Sequence, residues 1–289
     1  MTSLIQTIDR VQTLLAQIRP DVIRAFSPNW VGFVAARAGK RRHIPVVVSI
    51  HGNFDETRNG LKGRISSFME DYALSNASAV VCMTAFLTQY ARRHHAKNVQ
   101  VIYNKIYTQD FTRPIETKRS GLLWVGRLDA PKRPDLAMAA ASQTRQPLTI
   151  IGDGHKKNEL DALAKNAPVR FIASVPHAHI APYYQKANVL IMTSDSEGFC
   201  IPVLEAMAAG LPVVASDIPA IAEVAGGAAV LVPNTPEAVT RGVQALLQDP
   251  KRWKKMQRKG LARAQALDGT RMEAQERKLY EKLVLGRSE

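Results

Sequence analysis

The chain has 289 residues, 46% of them hydrophobic and 22% charged, which is an ordinary composition for a soluble globular protein and predicts two domains of roughly 100–200 residues each. No apolar stretch reaches the roughly 18 residues of a membrane helix, residues 1–10 lack the apolar core of a secretory signal, and two cysteines are too few for a disulfide framework, so a cytoplasmic location is expected. The net charge of +14 favours anionic partners, although a solvated basic surface would explain it equally well.

Apolar, β-branched runs alternate with helical patterns through most of the chain, which predicts βαβ units with parallel sheets. In the first part, the predicted helices are 4–18, 30–37, 65–74 and 84–94, and the predicted strands are 21–25, 45–50, 79–83 and 99–103. Sheets of this type usually have more than four strands. The sequence therefore predicts an incomplete first domain whose opening strands are missing or are supplied by another chain.

A polar stretch at residues 108–120 predicts the linker between two domains. The second alternating series has predicted strands at 122–126, 148–152, 169–171, 189–193 and 213–216. Its predicted helices are 134–142, 156–166, 179–186 and 202–209, followed by helices from 236 and 249 and a last one at 273–284. We therefore expect a shortened first domain at 1–112, a complete second domain at 113–270, and a C-terminal helix in 271–289 that packs back on the first domain.

The most informative stretch is residues 194–217, SDSEGFCIPVLEAMAAGLPVVASD. A helix is predicted to begin near Pro202, so the free N–H groups of residues 199–203 and the helix dipole form an anion site that suits a diphosphate. Glu197 precedes this helix and Glu205 lies about one turn inside it, so both carboxylates can face one ligand and accept hydrogen bonds from sugar hydroxyls. The alternative makes Glu205 an exposed helix residue and Glu197 a helix cap.

This stretch resembles the Glu-x7-Glu motif of the retaining GT-B glycosyltransferases of family 4, whose usual form is EGFGLPVLEAMA. The resemblance implies that Glu197 contacts the donor sugar and that Glu205 contacts the ribose. The residues between them are then donor-binding as well: Gly198, Phe199, Cys200 and Ile201. Cys200 stands where the family most often has Gly, and its side chain either alters the choice of donor or is a small buried thiol.

A second block supports the resemblance. Residues 122–133, LLWVGRLDAPKR, are similar to the family's LLFVGRLxxxKG, with Gly126 and Arg127 matching and Arg133 in place of the common Gly. The resemblance implies that Arg127 and Lys132 bind the diphosphate. Two cations there would stabilise a leaving group that gains charge as the glycosidic bond breaks.

Weaker segments extend the resemblance over nearly the whole chain. Residues 150–154, IIGDG, are similar to the family's next loop, and a dinucleotide fingerprint would need Gly at the position of Lys157, which counts against a dehydrogenase. Residues 171–192 resemble the segment beside the nucleobase, which implies backbone contacts around Val175. The similarity is strong over 121–233, fair over 19–111 and absent for the family's opening strands.

His51 ends the predicted strand VVVSIHG at its carboxyl edge, where such sheets bind their ligands. The family often has His at this point, reaching the donor sugar or the acceptor, and the resemblance therefore implies a catalytic role for His51. The alternative is a histidine whose ring is satisfied by the neighbouring backbone.

Neither an Asp-x-Asp motif nor a His/Cys cluster with metal-ligand spacing occurs in the sequence. We therefore expect no metal site and no cofactor, the nucleotide-diphosphate sugar being a substrate. Arg127, Lys132 and the helix N-terminus would take the place of a metal ion at the diphosphate.

The fold expected from the resemblance is α/β of GT-B type, with two doubly wound Rossmann-like domains facing across a cleft and the first one incomplete. The expected function is that of a retaining, metal-independent hexosyltransferase (EC 2.4) acting on a glycan or lipid-linked acceptor in polysaccharide or lipopolysaccharide biosynthesis. The alternative is a partner-dependent or non-catalytic subunit that binds a nucleotide sugar.

The distribution of charge bears on the expected partners. Basic residues cluster at 37–42, 58–64 and 92–97, in the first domain, which suggests an anionic acceptor surface and peripheral contact with the inner face of the membrane. A homo-oligomer or a partner chain is expected from the incomplete first domain. Binding to nucleic acid is not expected, because the sequence holds no recognisable module for it.

Overall fold

The computed structural model describes residues 4–53, 60–112, 118–164 and 167–286. The described parts of Met1–Asn104 and Arg271–Glu289 form unit 1, and those of Lys105–Thr270 form unit 2. Each unit is built on one parallel sheet with helices between the strands. This architecture confirms the predicted α/β class with two Rossmann-like halves.

Unit 1 contains four short strands, and most of its helices connect them. The strands are β1 (Ile23–Ala25), β2 (Val46–Ile50), β3 (Ala79–Cys82) and β4 (Val99–Val101), and the helices are α1 (Leu4–Ile18), α2 (Trp30–Arg42), α3 (Gly60–Ser75), α4 (Phe86–Arg93) and α12 (Gly269–Leu285). The strands lie in the order β1-β2-β3-β4, all parallel. β2 and β3 are wholly buried, which explains their continuous apolar sequences.

Three helices of unit 1 are longer than the sequence predicts, and α12 is one of them because it begins at Gly269 rather than at residue 273. α2 continues to Arg42 and ends at His43, which adopts a left-handed conformation with φ 55°. At Gly39, inside α2, a Cβ would come within 2.3 Å of Val46 Cγ2. The absence of a side chain at this position therefore lets the helix lie close to β2. α3 begins at Gly60 rather than at residue 65, since two glycines in its first turns hide the helical pattern.

The two faces of the β1 end of the sheet are covered by different helices. Ile23 packs with Leu15 of α1 and with Ala38 of α2. Arg24 points to the opposite face, as the next residue in a strand must, and there forms an ion pair with Glu276 and a hydrogen bond with Tyr280 Oη at 3.0 Å. Helix α12 therefore packs on the face opposite to α1 and α2.

The boundary between the units falls at Asn104 rather than at residue 112. Ile106 is buried, and the N–H and hydroxyl of Thr108 both donate to Asp268 Oδ2, at 2.9 and 2.7 Å. Phe111 is also buried, and its carbonyl accepts a hydrogen bond from Gln185 Nε2. These contacts attach residues 105–112 to unit 2.

Unit 2 has six parallel strands. They are β5 (Leu122–Val125), β6 (Leu148–Ile151), β7 (Val169–Ile172), β8 (Val189–Met192), β9 (Val213–Ser216) and β10 (Val230–Val232). Its helices are α5 (Pro134–Thr144), α6 (Lys157–Leu163), α7 (Ala181–Lys186), α8 (Ile201–Ala208), α9 (Pro219–Ala225), α10 (Pro236–Leu247) and α11 (Pro250–Ala266). Two of these elements, α9 and β10, lie outside the predicted set.

The strand order of unit 2 is β10-β9-β8-β5-β6-β7. The chain runs from β5 outward to β7 and then returns to β8 on the other side of β5, so the order reverses between β5 and β8. Ligands of open α/β sheets bind beyond the carboxyl ends of the strands at this kind of reversal. The loops that follow β5 and β8 carry the two strongest sequence motifs.

A glycine allows two of these loops to approach each other. Gly152, directly after β6, has φ +143°, and a Cβ there would lie 1.8 Å from the carbonyl oxygen of Gly126. Because glycine has no side chain, the loop after β6 can lie against the loop after β5. An L residue with a side chain would not fit at this position.

Candidate functional site

Lys132 and Glu197 meet at the carboxyl edge of the unit 2 sheet. Lys132 Nζ donates to Glu197 Oε1 at 2.6 Å, and Ser194 Oγ donates to the same oxygen at 2.7 Å. The two charged side chains are only 20% and 10% exposed. A cation and a carboxylate this sheltered from water form a charge-assisted hydrogen bond.

Cys200 precedes helix α8 in a conformation that favours glycine. Its φ is 67° and its ψ 70°, and the side chain is buried. Burial and the neighbouring Glu197 carboxylate raise the pKa of the Cys200 thiol well above its usual value, so the sulfur stays protonated and neutral. Of the two interpretations of Cys200, the structure places a buried thiol here, beside Glu197.

Helix α8 begins at Ile201, one residue before Pro202. Phe199 and Gly198 are buried ahead of it, whereas Ile201 is 40% exposed. No side-chain hydrogen bond caps this helix start, Pro202 has no N–H, and the Val203 N–H donates to the Cys200 carbonyl at 3.2 Å. The anion site expected at this helix start remains a prediction.

Glu205 lies one turn into α8 and is buried, which contradicts the alternative of an exposed helix residue. Tyr184 Oη donates to its Oε2 at 2.6 Å, and His177 Nε2 lies 2.8 Å from its Oε1. Burial and the adjacent carboxylate raise the pKa of Tyr184 well above its usual value, so this hydroxyl remains a donor. Phe111 packs edge-on against the rings of both Glu205 partners.

Sequence reasoning missed His177 and Tyr184 because they lie on a different element from Glu205. His177 sits in the short 3-10 turn before α7, and Tyr184 lies on α7 itself. The His177 side chain is 67% exposed, so it can move aside without disturbing the core. Val175, expected beside the nucleobase, is half-buried in the same loop.

Arg127 does not join the Lys132–Glu197 pair. Its side chain is 79% exposed and forms an ion pair with Asp129 at 2.8 Å. His155 Nδ1 lies 3.0 Å from the other oxygen of Asp129. Gly126, just before Arg127, is half-buried. Arg127 is therefore held near the sheet edge by one carboxylate, and its role at a diphosphate remains a prediction.

A further residue, Asn234, holds the loop after β8. Its Nδ2 donates to the carbonyl oxygens of Thr193 and Ser194 and to Asp195 Oδ1 at 2.9–3.2 Å, and its Oδ1 accepts from Ser216 Oγ at 2.6 Å. This amide fixes the backbone from which Glu197 projects. Asn234 follows the end of β10 by two residues, and because this strand is absent from the predicted elements, the sequence does not mark Asn234.

His51 belongs to unit 1 and follows the end of β2. Its ring lies 6.1 Å from that of Phe26, and both side chains are exposed. Partial desolvation and the charge of Arg24 lower the pKa of His51, so its imidazole is neutral near pH 7. A neutral imidazole can accept a proton or a hydrogen bond.

The residues that the structure describes contain no group of three or more His, Cys, Asp or Glu side chains placed to hold a metal ion. Across the same residues, no helix combines the length and the apolar character needed to cross a bilayer.

Sequence comparison gives two family matches and several distant relatives. Residues 106–263 match Glycosyl transferases group 1, and residues 2–105 match the Glycosyl transferase 4-like domain. The chain is 25% identical over 251 residues to the sulfoquinovosyl transferase SQD2 of Arabidopsis thaliana, covering 80% of this chain and 48% of that one. It is 24% identical over 264 residues to a GDP-mannose-dependent alpha-(1-6)-phosphatidylinositol dimannoside mannosyltransferase of Mycobacterium tuberculosis, covering 84% and 69%. The chain thus spans about half the length of the Arabidopsis relative.

Similar folds occur among solved structures. A sucrose-phosphate synthase from Thermosynechococcus elongatus matches with a TM-score of 0.84 and 20% identity, over 98% of this chain and 78% of that one. The Anabaena protein HepE, solved in complex with UDP, matches with a TM-score of 0.83 and 17% identity, over 95% and 82%. At these identities the similarity concerns the fold.

Proposed function

Because this chain belongs to the family of glycosyl transferases group 1, with two Rossmann-like halves of the GT-B type, we propose that it transfers a sugar from a nucleotide-diphosphate sugar to a glycan or lipid-linked acceptor. The anomeric configuration is retained. The proposal rests on the carboxyl edge of the unit 2 sheet, where the Lys132–Glu197 pair lies beside the loop that leads into helix α8 and its buried Glu205.

Glu205 is the observation that carries the proposal. A buried carboxylate is costly unless it is hydrogen-bonded, and of the two groups that now bond Glu205 only His177 is exposed enough to be replaced by a ligand. A ribose hydroxyl replaces the exposed His177 as the partner of Oε1, whereas buried Tyr184 continues to donate to Oε2. The Anabaena neighbour named above was solved with UDP, a ligand that contains such a ribose.

The diphosphate lies against the start of helix α8 and is neutralised by Lys132 and Arg127. As the bond to the sugar breaks, negative charge grows on the leaving phosphate, and both cations stabilise it most in the transition state. Lys132, which donates to Glu197 Oε1 at 2.6 Å, also orients this carboxylate toward the sugar hydroxyls. With these cations in place the transfer needs no metal ion.

Retention follows from attack on the same face as the departing phosphate, which helps to remove the acceptor proton. This mechanism uses no covalent nucleophile. In unit 1, neutral His51 contacts the donor sugar or the acceptor. The chain acts at the inner face of the membrane, on a lipid-linked or polysaccharide acceptor.

Substitution of Glu205 tests the proposal. A panel of nucleotide sugars assayed for hydrolysis in excess EDTA first identifies the donor. Glu205→Gln keeps the shape but removes the charge, so we expect donor affinity measured by calorimetry to fall roughly 10–100-fold. Glu159→Gln on α6, where the side chain is 60% exposed, is the matched control and should bind as the unaltered protein does.

Two results would count against the proposal. Equal donor affinity in Glu205→Gln and in the control removes the ribose assignment. Donor binding without any turnover, with or without an acceptor, would instead identify a nucleotide-sugar-binding subunit.

A further inference from the structure

Helix α3 exposes an apolar stripe in unit 1. Leu61, Ile65 and Phe68 are 72%, 49% and 64% exposed. Their spacing of four and three residues places them on one side of the helix. Soluble proteins rarely leave several large apolar side chains together in water, and such patches usually mark a contact surface.

Cations flank this stripe on both sides. Lys62 and Arg64 are exposed and, within the described part of the chain, neither has an ion-pair partner. At 100° per residue, they lie about a quarter-turn or less on either side of the apolar stripe. The carboxylates of α3 are at its other end and are already engaged, Glu70 by Ser66 and Tyr90 and Asp71 by His94.

Helix α2 extends the surface. Helices α2 and α3 follow neighbouring parallel strands and pack against each other, so they run in the same direction and their first turns lie at the same end of unit 1. At the start of α2, Trp30 is 39% and Val31 52% exposed. The ring of Phe33 on α2 lies 6.5 Å, centroid to centroid, from the ring of Phe68 and packs against the stripe.

We propose that this α3 surface, formed by Leu61, Ile65 and Phe68 with Lys62 and Arg64 and extended by the start of α2, docks unit 1 on an anionic lipid bilayer. The apolar stripe enters the boundary between headgroups and acyl chains, and the cations pair with anionic headgroups. The inference rests on the proposed function in one respect, since it brings the enzyme to a lipid-linked acceptor, but it is tested without donor or acceptor.

Charge favours a bilayer over a second copy of the chain. In a symmetric dimer the same patch meets itself, so Lys62 and Arg64 would face like charges, and residues 60–69 contain no carboxylate to pair with them. A bilayer with anionic headgroups satisfies both the apolar and the charged groups. Trp at the rim also suits the membrane interface.

Co-sedimentation with vesicles tests the proposal on the full chain. Two preparations are compared: phosphatidylcholine alone, and phosphatidylcholine mixed with phosphatidylglycerol. We expect strong binding to the mixed vesicles and weaker binding to the neutral ones. The double substitution Ile65→Ser and Phe68→Ser should lower partitioning into mixed vesicles at least about tenfold. The double substitution Lys62→Glu and Arg64→Glu should lower it by roughly tenfold or more and remove the preference for anionic lipid.

Matched controls use unit 2. Leu163→Ser with Leu261→Ser removes two large side chains that are 58% and 41% exposed. Lys254→Glu with Arg258→Glu reverses two exposed cations on the strongly basic helix α11. We expect both controls to bind the vesicles as the unaltered protein does. Circular dichroism of every variant checks that the fold is kept.

Three results would overturn the proposal: no vesicle binding by the unaltered protein, equal losses in the α3 and control variants, or unchanged binding in both α3 variants. A dimer that dissociates on Ile65→Ser and Phe68→Ser, without any vesicle binding, would assign the surface to self-association. Donor hydrolysis by the same variants stays normal if the surface serves membrane binding alone, so failure here is distinguishable from failure of the proposed function.

Discussion

At Cys200 the backbone has a left-handed conformation that favours glycine over any residue with a side chain. Its left-handed backbone costs a non-glycine residue roughly 1 kcal/mol. We expect Cys200→Gly to be more stable than Cys200→Ala by about that amount in urea denaturation. At Ala206, inside α8, the order should be reversed, with Ala206→Gly destabilising by about 1 kcal/mol. An alanine at position 200 that matches or exceeds glycine would show that the loop relaxes and stores no strain.

The individual site residues differ in how well the sequence predicts them. Lys132 and Glu197 follow strands that are strongly apolar, so both the strand ends and the spacing are visible in the sequence. His177 and Asn234 contribute single side chains from a short turn and from the end of a three-residue strand. No periodicity marks such positions, and only the strand order of the folded sheet brings them to the loops that they support. The assigned roles in donor binding remain predictions for the experiments above.

At the scale of elements, Asp268 caps helix α12 and also fastens residue 108. Its Oδ1 accepts from the N–H and hydroxyl of Thr270, and its Oδ2 from those of Thr108. Although burial alone would raise the pKa of Asp268, these hydrogen bonds lower it far below its ordinary value of 3.8. The ionised form is thus strongly preferred in the folded chain.

Because the folded pKa is depressed, the contribution of Asp268 is complete above its ordinary pKa and declines as the pH falls below about 4. We expect Asp268→Ala to lower the free energy of unfolding by about 1–2 kcal/mol at neutral pH and by less at about pH 3. Asp249→Ala, which removes a helix cap without a tether to another segment, should cost less. A pH-independent loss at position 268 would contradict this account.

At the scale of the whole molecule, unit 1 is built from two distant parts of the chain. Arg24 lies near the start and its partners Glu276 and Tyr280 lie on α12. Ending the chain after Thr270 leaves this guanidinium without them, so we expect faster hydrogen exchange at the amides of β2 and unchanged exchange at those of β8. The double substitution Glu276→Gln and Tyr280→Phe, which keeps the helix, should give a smaller effect of the same sign. Ending the chain after Gly286 is the control, and equal loss of protection in both units would show that α12 stabilises the molecule as a whole.

The same arrangement has a consequence for how the protein is made. On the ribosome, the four strands of unit 1 emerge early, but Glu276 and Tyr280 emerge only after all of unit 2. Domains usually fold in the order of synthesis. Here the first sheet lacks its last helix until α12 has been made, whereas all elements of the second sheet are made before α12. During that interval the face of β1 that carries Arg24 is uncovered, and the bond from Arg24 to Tyr280 joins residues 256 positions apart in the sequence. Contacts so distant in sequence form slowly. We therefore expect the nascent first unit to be exposed to aggregation with other chains for longer than the second unit, and to depend more on chaperones.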